Sequence, residues 1–310
     1  MRYFALILML GAAVAGAEES GPLVFDNSDF EKGTLENWSQ EGSAFVFQPT
    51  FKDNTTARRS DRRTLQQGQY WIGTFEKYQG NRGQKPGGAQ GNELIGGLMS
   101  IPFVIDKPVI TFLVGGGADK RATVQLIANG AVVAEATGAD HPLLRREYWD
   151  VAPYVGKQAM LYIVDRATGF FGFINADDFR YAESIPDRSL FPNSQLAGGT
   201  LEGWTAEGGA FEAKADGPAT SSAENLGALT SPEFELTGEA IVFQFAGGEG
   251  ATVKLLVGGQ PLYEEKPRSA DQPVPHVLDV GVLKGKKAVL QISDASASAG
   301  LQVGGFHYGR

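Results

Sequence analysis

Apolar positions in this chain come in short runs instead of long stripes. From Ala122 the stretch "ATVQLIANGAVVAEATG" alternates apolar and polar side chains to Ala128, turns at Asn129-Gly130 and returns from Val132 to Ala136. That is the pattern of a β-hairpin, with a turn pair at ease with positive φ. Similar runs, rich in Val, Ile, Phe and Thr, are closed by Gly-Gly, Asn-Gly or Gly-Lys, and no segment carries helical periodicity with caps. Short strands at regular spacing predict an all-β fold, a sandwich of jelly-roll type.

The pattern occurs twice. "FDNSDFEKGTLENWSQEGSAF" from Phe25 is matched by "FPNSQLAGGTLEGWTAEGGAF" from Phe191. "VITFLVGGG" matches "AIVFQFAGG", "VQLIANG" matches "VKLLVGG", "WDVAPYVGKQAMLYIVD" matches "LDVGVLKGKKAVLQISD", and "FINADDFRY" matches "LQVGGFHY". The chain therefore reads as two tandem β-sandwich modules, residues 21–182 and 190–310, joined by a linker at 183–189 around Pro186 and Asp187. Trp38 and Trp204 recur in register, as do Phe45 and Phe211, and are expected in the cores. Copy one carries an insertion from about Gln48 to Gln90 that holds the basic stretch "ARRSDRR"; copy two bridges the gap with "AKADGPATSS". Long loops on sandwich edges are where binding surfaces are built.

Residues 1–17 read as a cleavable signal peptide: Met1-Arg2, an apolar run to Val14, then Ala15-Gly16-Ala17. The mature chain is expected to be secreted or periplasmic, with no membrane span. The chain has no cysteine, which excludes disulfides, thiolate metal sites and cysteine nucleophiles. A net charge of −9 argues against nucleic acid as the main partner. The cluster Arg58, Arg59, Arg62 and Arg63 reads as a solvated loop or as a contact for an anionic polysaccharide.

Catalytic signatures are missing. No serine sits in a nucleophile elbow, and His141, His276 and His307 lack metal-ligand spacing. Glu147, Asp150 and Asp165 are candidates for paired-carboxylate glycosidase chemistry, but Asp150 and Asp165 have counterparts in Asp279 and Asp294, which suits turn or strand-end roles better. Aromatics confined to copy one are the stronger signal. Tyr70, Trp71, Phe75 and Tyr78 in the insertion, Trp149, and Phe170-Phe171 have no aromatic equivalent in copy two. Such rings stack on the apolar faces of sugars while polar neighbours bond the hydroxyls, and packing beneath a loop is their other use. Of these, Tyr70, Trp71, Tyr78, Trp149, Phe170 and Phe171 are the candidate ligand-binding residues, and module one is expected to bind a neutral polysaccharide.

Acids differ between the copies in a coordinated way. Asp29, Glu31, Asp177 and Asp178 are replaced by Gln195, Ala197, Gly304 and Gly305. Neighbouring carboxylates repel without a cation. Glu31, Asp177 and Asp178 are therefore expected to hold a structural Ca2+ that ties the start of the first sandwich to its end.

The motifs "DFEKGTLENW", "GSAF", "FLVGGG", "VQLIANG", "YWDVAPYVGKQAMLYIVD" and "GFFGFINADDF" resemble the non-catalytic β-sandwich modules attached to secreted bacterial levanases and related fructan hydrolases. More loosely they resemble galactose-binding-like carbohydrate modules that place Ca2+ between an early "FE" and a late "DD". The resemblance covers copy one nearly throughout and copy two in its framework. Where that family has Gly-Trp-Gly-His-Ile-Asn, this chain has Phe171 and Phe173 in the Trp and His places, and it lacks the fructosidase domain. The resemblance implies an exported, non-catalytic protein that binds a polysaccharide or cell-surface glycan. The alternatives are a surface or periplasmic scaffold for a protein partner, and a glycoside hydrolase with cryptic paired acids.

Overall fold

The computed structural model describes residues 21–208, 211–214, 218–221, 227–295 and 300–310. The signal peptide read at 1–17 lies outside them.

Module one contains β1 (Trp38–Gly42), β2 (Thr50–Phe51), helix α1 (Asn54–Arg58), β3 (Tyr70–Gly73), β4 (Gly96–Ser100), β5 (Phe103–Val104) and β6 (Val109–Gly116). It continues with β7 (Ala122–Ala128), β8 (Ala131–Thr137), β9 (His141–Asp150), β10 (Gln158–Asp165) and β11 (Ile174–Ala182). Its two antiparallel sheets run β1-β4-β10-β7-β8, with β5 on β10, and β2-β3-β11-β6-β9.

Module two contains β12 (Thr205–Glu207), β13 (Phe211–Glu212), β14 (Ala219–Ser221), β15 (Gly227–Thr230), β16 (Phe234–Glu235) and β17 (Ala240–Ala246). It ends with β18 (Ala251–Val257), β19 (Gln260–Glu265), β20 (Val274–Asp279), β21 (Lys287–Asp294) and β22 (Gln302–Tyr308). Its sheets, β12-β15-β21-β18-β19 with β16 on β21, and β13-β14-β22-β17-β20, repeat the first module strand for strand. The protein is a tandem of β-sandwiches, as the alternation of its apolar residues predicts.

The repeated opening motif folds the same way in both copies. Asn27 sits at φ 66° and donates to the carbonyls of Thr34 and Glu36; Asn193 sits at φ 59° and donates to those of Thr200 and Glu202. Trp38 Nε1 donates to Asn27 O at 3.2 Å and Trp204 Nε1 to Asn193 O at 3.1 Å. Both indoles are 8% exposed and pack on equivalent rings, Phe25 and Phe179 for one, Phe191 and Phe306 for the other. Phe45 is buried in its core; Phe211 only packs against the edge of the second. The hairpin turn at Asn129-Gly130 takes φ 52° and 76°, as its sequence requires.

Alternation fails where both faces of a strand are covered. β6 is buried at every position: Ile110, Phe112 and Val114 face the core, while Leu113 packs with Trp71 and Leu144 on the outer face. That outer face lies under the segment from Thr64 to Gln69, fixed by Leu144 N–H to Thr64 O at 2.7 Å and Gln67 N–H to Asp177 Oδ2 at 2.8 Å. The insertion expected at 48–90 is therefore not one loop. β2 and β3 belong to the shared framework, matched by β13 and β14, and the added residues flank β3 at 52–69 and 74–95.

The modules pack on each other. Leu65, Ala139, Leu143, Ala240, Val242 and Val277 form an apolar patch between them. Around it Arg63 meets Asp279 and, at 2.8 Å, Glu239; Arg268 meets Asp140; and Arg146 N–H donates to Gly309 O at 2.7 Å.

Candidate functional site

A cleft of about 250 Å3 opens at one end of module one, lined by the insertion and by the loop between β10 and β11. Its polar floor is built around Glu76, which is buried. Asp53 caps α1 by accepting from Thr56 N–H at 2.9 Å, and this turn of helix presents Asn54, Thr55 and Arg58 to the Glu76 carboxylate. Arg58 reaches it with two parallel bonds of 2.6 and 2.7 Å, a forked arrangement that fixes both side chains.

The wall of the cleft is a chain of rings. The Arg58 guanidinium lies 4.7 Å over Phe75; Phe75 is 5.6 Å from Phe173, Phe173 is 5.7 Å from Phe171, and Phe171 stands edge-on to Phe170 at 4.7 Å. Phe170, at the lip, is 92% exposed. The loop that carries these rings is tethered by Asn92 Nδ2, which donates to Gly169 O at 2.6 Å. It passes so close to Gly117 that a Cβ there would lie 2.1 Å from Phe171 O. Arg59 and Arg62 complete the rim. The arrangement offers stacking faces beside fixed hydrogen-bonding groups.

Of the six aromatics singled out in the sequence, Phe170 and Phe171 line this cleft and four do not. Trp71 is a correction: it is fully buried on the outer face of its sheet, with Nε1 donating to Lys52 O at 2.8 Å, so neither face is open to a ligand. Trp149 is half-buried, packs 4.4 Å from Phe112 and pairs with Ile110, at the far end of β6 from the cleft. Tyr70 and Tyr78 gather instead around Phe51, at 5.0 and 6.2 Å. Glu76, Asn92 and Phe173 were not chosen from sequence, and Arg58 entered only as one of the basic cluster. Phe173 had a signal, its place in the "GFFGFIN" motif; the others depend on contacts across the fold.

The acids expected to hold Ca2+ take protein partners. Glu31 accepts the N–H groups of Gln69 and Tyr70 at 2.8 Å each. Asp178 is buried between two guanidinium groups, Arg146 Nη2 at 2.7 Å and Arg180 Nε at 2.5 Å. Asp177 binds Gln67 N–H through Oδ2 while its buried Oδ1 has no partner. Burial pushes its carboxyl well above the usual range, and the charges of Asp178 and Glu31 add to the shift. Among the described residues no group of three or more His, Asp or Glu side chains is placed to hold a metal ion. The set does not fit calcium, because Arg180 already does what the ion was expected to do. Its guanidinium joins Asp178 to Asp29 at 3.4 Å and to Gly21 O at 3.0 Å, late strand to early loop.

The paired-acid candidates do not meet. Glu147 pairs with Arg145 at 2.8 Å, Asp150 accepts the Ala152 N–H at 3.0 Å, and Asp165 is buried in the opposite sheet. Glu76 is the acid that lines the cleft among the described residues, and no second carboxylate faces it. His141 and His307, pushed down to about 4 by burial, are neutral and lie apart.

Asp165 makes a pH prediction. Desolvation pushes it up to about 7, against bonds from Thr74 and Ala167 that favour the charged form. Between its unfolded value of 3.8 and about 7 the folded protein holds the extra proton, so stability falls as pH rises through that window. Asp165→Asn should remove this fall, on the order of 2 to 4 kcal/mol at its full extent. Thermal melts across the pH range should show the variant gaining on the wild type as pH rises. Parallel curves would mean that Asp165 ionises freely in the fold.

No family profile matches the chain. A putative glycosyl hydrolase, ecdE, of Aspergillus rugulosus is 36% identical over 95 residues, which is 30% of this chain and 14% of that protein. Among solved structures, TmCBM61 in complex with β-1,4-galactotriose is 17% identical and superposes with a TM-score of 0.31 over 39% of this chain and 97% of its own. The CBM22-1–CBM22-2 tandem of Paenibacillus barcinonensis Xyn10C is 13% identical, with a TM-score of 0.27 over 94% of this chain and 99% of its own.

Proposed function

We propose that this protein is an exported, non-catalytic carbohydrate-binding protein whose first module holds a polysaccharide in the cleft between α1 and the Phe170–Phe173 loop. The observation that carries the reading is the graded wall of rings, from Phe75 beneath Arg58 to a Phe170 that is 92% exposed. A large apolar face left in water beside fixed polar groups is what a sugar ring needs, since its C–H face stacks while its hydroxyls bond. The partial likeness to a protein named as a glycosyl hydrolase supports a setting in carbohydrate chemistry, while Glu76, the one acid among the described residues that line the cleft, argues against paired-acid hydrolysis here.

The test uses the full chain on immobilised polysaccharides. Phe170→Ala and Phe171→Ala should each weaken retention roughly fivefold, the scale of one aromatic contact. Val282→Ala, on an exposed residue of module two, should change nothing. Undiminished retention of both Phe variants would remove the cleft as the binding site.

A further inference from the structure

The four arginines of the inserted segment do three different jobs. Arg58 is spent on Glu76 through its forked pair, and Arg63 is spent on Asp279 and Glu239 across the module boundary. Arg59 and Arg62 remain. They are held side by side by a turn in which Arg62 N–H donates to Arg59 O at 3.0 Å, and both line the cleft. Their nearest carboxylate is Asp61, at 3.7 and 3.9 Å, outside the cleft and exposed. An exposed pair at such distances is worth little. The cleft is thus lined by three arginines against one glutamate, on a protein whose net charge is −9. A neutral sugar gives two guanidinium groups at a binding rim nothing that uncharged donors would not give. An anion gains planar, charge-assisted hydrogen bonds there, and needs local positive charge to approach an acidic protein at all.

We propose that the sugar taken by this cleft carries an oxyanion, a carboxylate or a sulfate, bound by Arg59 and Arg62 while its ring lies against Phe170 and Phe171. This rests on the reading of the cleft as a carbohydrate site; in place of the neutral polysaccharide expected of module one, it takes up the anionic contact that the sequence offered for the arginine cluster and assigns it to Arg59 and Arg62 alone. Phe170 and Phe171 give the affinity that any sugar would share; the two arginines select the charged one.

The experiment titrates the full chain with polygalacturonate, dextran sulfate and neutral dextran, comparing wild type, the double variant Arg59→Gln/Arg62→Gln, Phe171→Ala, and Arg82→Gln as an exposed basic control outside the cleft. Polygalacturonate or dextran sulfate should bind roughly tenfold or more tighter than dextran, the scale of a charged hydrogen bond over a neutral one. Which of the two binds tells carboxylate from sulfate. The double variant should lose that preference, Phe171→Ala should weaken every polymer that binds, Arg82→Gln should do neither, and added salt should weaken the anionic polymers alone. Melting curves that match wild type show that the variants fold. Dextran bound as tightly as the anionic polymers, with Phe171→Ala weakening it and the double variant without effect, would overturn the anion while leaving the cleft as the site. Anion binding weakened equally by Arg82→Gln and indifferent to Phe171→Ala would be diffuse attraction and would overturn both readings.

Discussion

Replacing Asp178 by Ala should cost about 3–5 kcal/mol, the range for removing one partner of a buried ion pair. The expected magnitude follows from what the carboxylate serves. It is buried, and each of its oxygens meets a different guanidinium, one from β9 and one from β11. Removal takes from Arg146 its buried ion-pair partner, leaving the residue-178 carbonyl at 3.2 Å and the neighbouring Asp177 carboxyl, and detaches Arg180 from the late end of its bridge to Asp29 and Gly21. Urea unfolding of the full chain should show a midpoint well below that of wild type. Calcium or a chelator should move neither curve, whereas a calcium-dependent shift of wild type would restore the ion to this site.

Module two supplies a further arm of the test. There Gln195, Pro275, Gly305 and His307 stand where module one has Asp29, Arg146, Asp178 and Arg180, and both Asp178 and Gly305 take positive φ, 54° and 70°. The quadruple variant Asp29→Gln/Arg146→Met/Asp178→Gly/Arg180→His should cost less than the sum of the single changes, because removing a network whole strands no charge. Additive losses would mean that the four residues do not act together.

Truncating either repeated tryptophan is expected to be as severe. Trp38→Ala and Trp204→Ala should each lose about 3–5 kcal/mol, since the indole is a buried member of its module's core and its N–H serves the Asn27 or Asn193 carbonyl. Calorimetry of the full chain is the measurement. Because Leu143 and Ala139 of one module pack on Val242 and Val277 of the other, loss of one core should lower the stability of both modules. A variant with an unchanged melting profile would take its tryptophan out of the core.

The framework was legible because it is written twice. Residues that recur in register, such as Asn27 with Asn193 and Trp38 with Trp204, have the same local jobs in both copies, and those jobs depend on neighbours close in sequence. The acids misled for the opposite reason. Arg146 lies far from Asp178 in sequence, and β9 joins β11 only through β6, so the pairing depends on sheet order. The change of acids to Gln195 and Gly305 was visible, and the accompanying change of Arg180 to His307 removes the side-chain cation that meets Asp29 and Asp178 in module one. Asp177 and Asp178 are both buried because β11, like its neighbour β6, is covered on both faces, and the register of β11 against β6 shifts between Asp177 and Arg180. Among the aromatics, sequence placed all six in module one but could not say which faced solvent. Trp71 and Phe170 read alike as letters, and one lies under the Thr64–Gln69 segment while the other stands in water.

The rim of the cleft hangs between two clamps. Arg58 is fastened to Glu76 within module one, and Arg63 is fastened to Asp279 and Glu239 of module two, with Arg59 and Arg62 in the short span between them. A free loop of this kind would surrender its conformational entropy at the moment a ligand arrived, and affinity would fall by that amount. Here folding has already removed it, on both sides. In the proposed reading of the cleft, the second copy, which lacks aromatic equivalents of Phe170 and Phe171, would serve binding at a distance: it would act as a splint for a segment that it never touches at the ligand, a brace in place of a second hand.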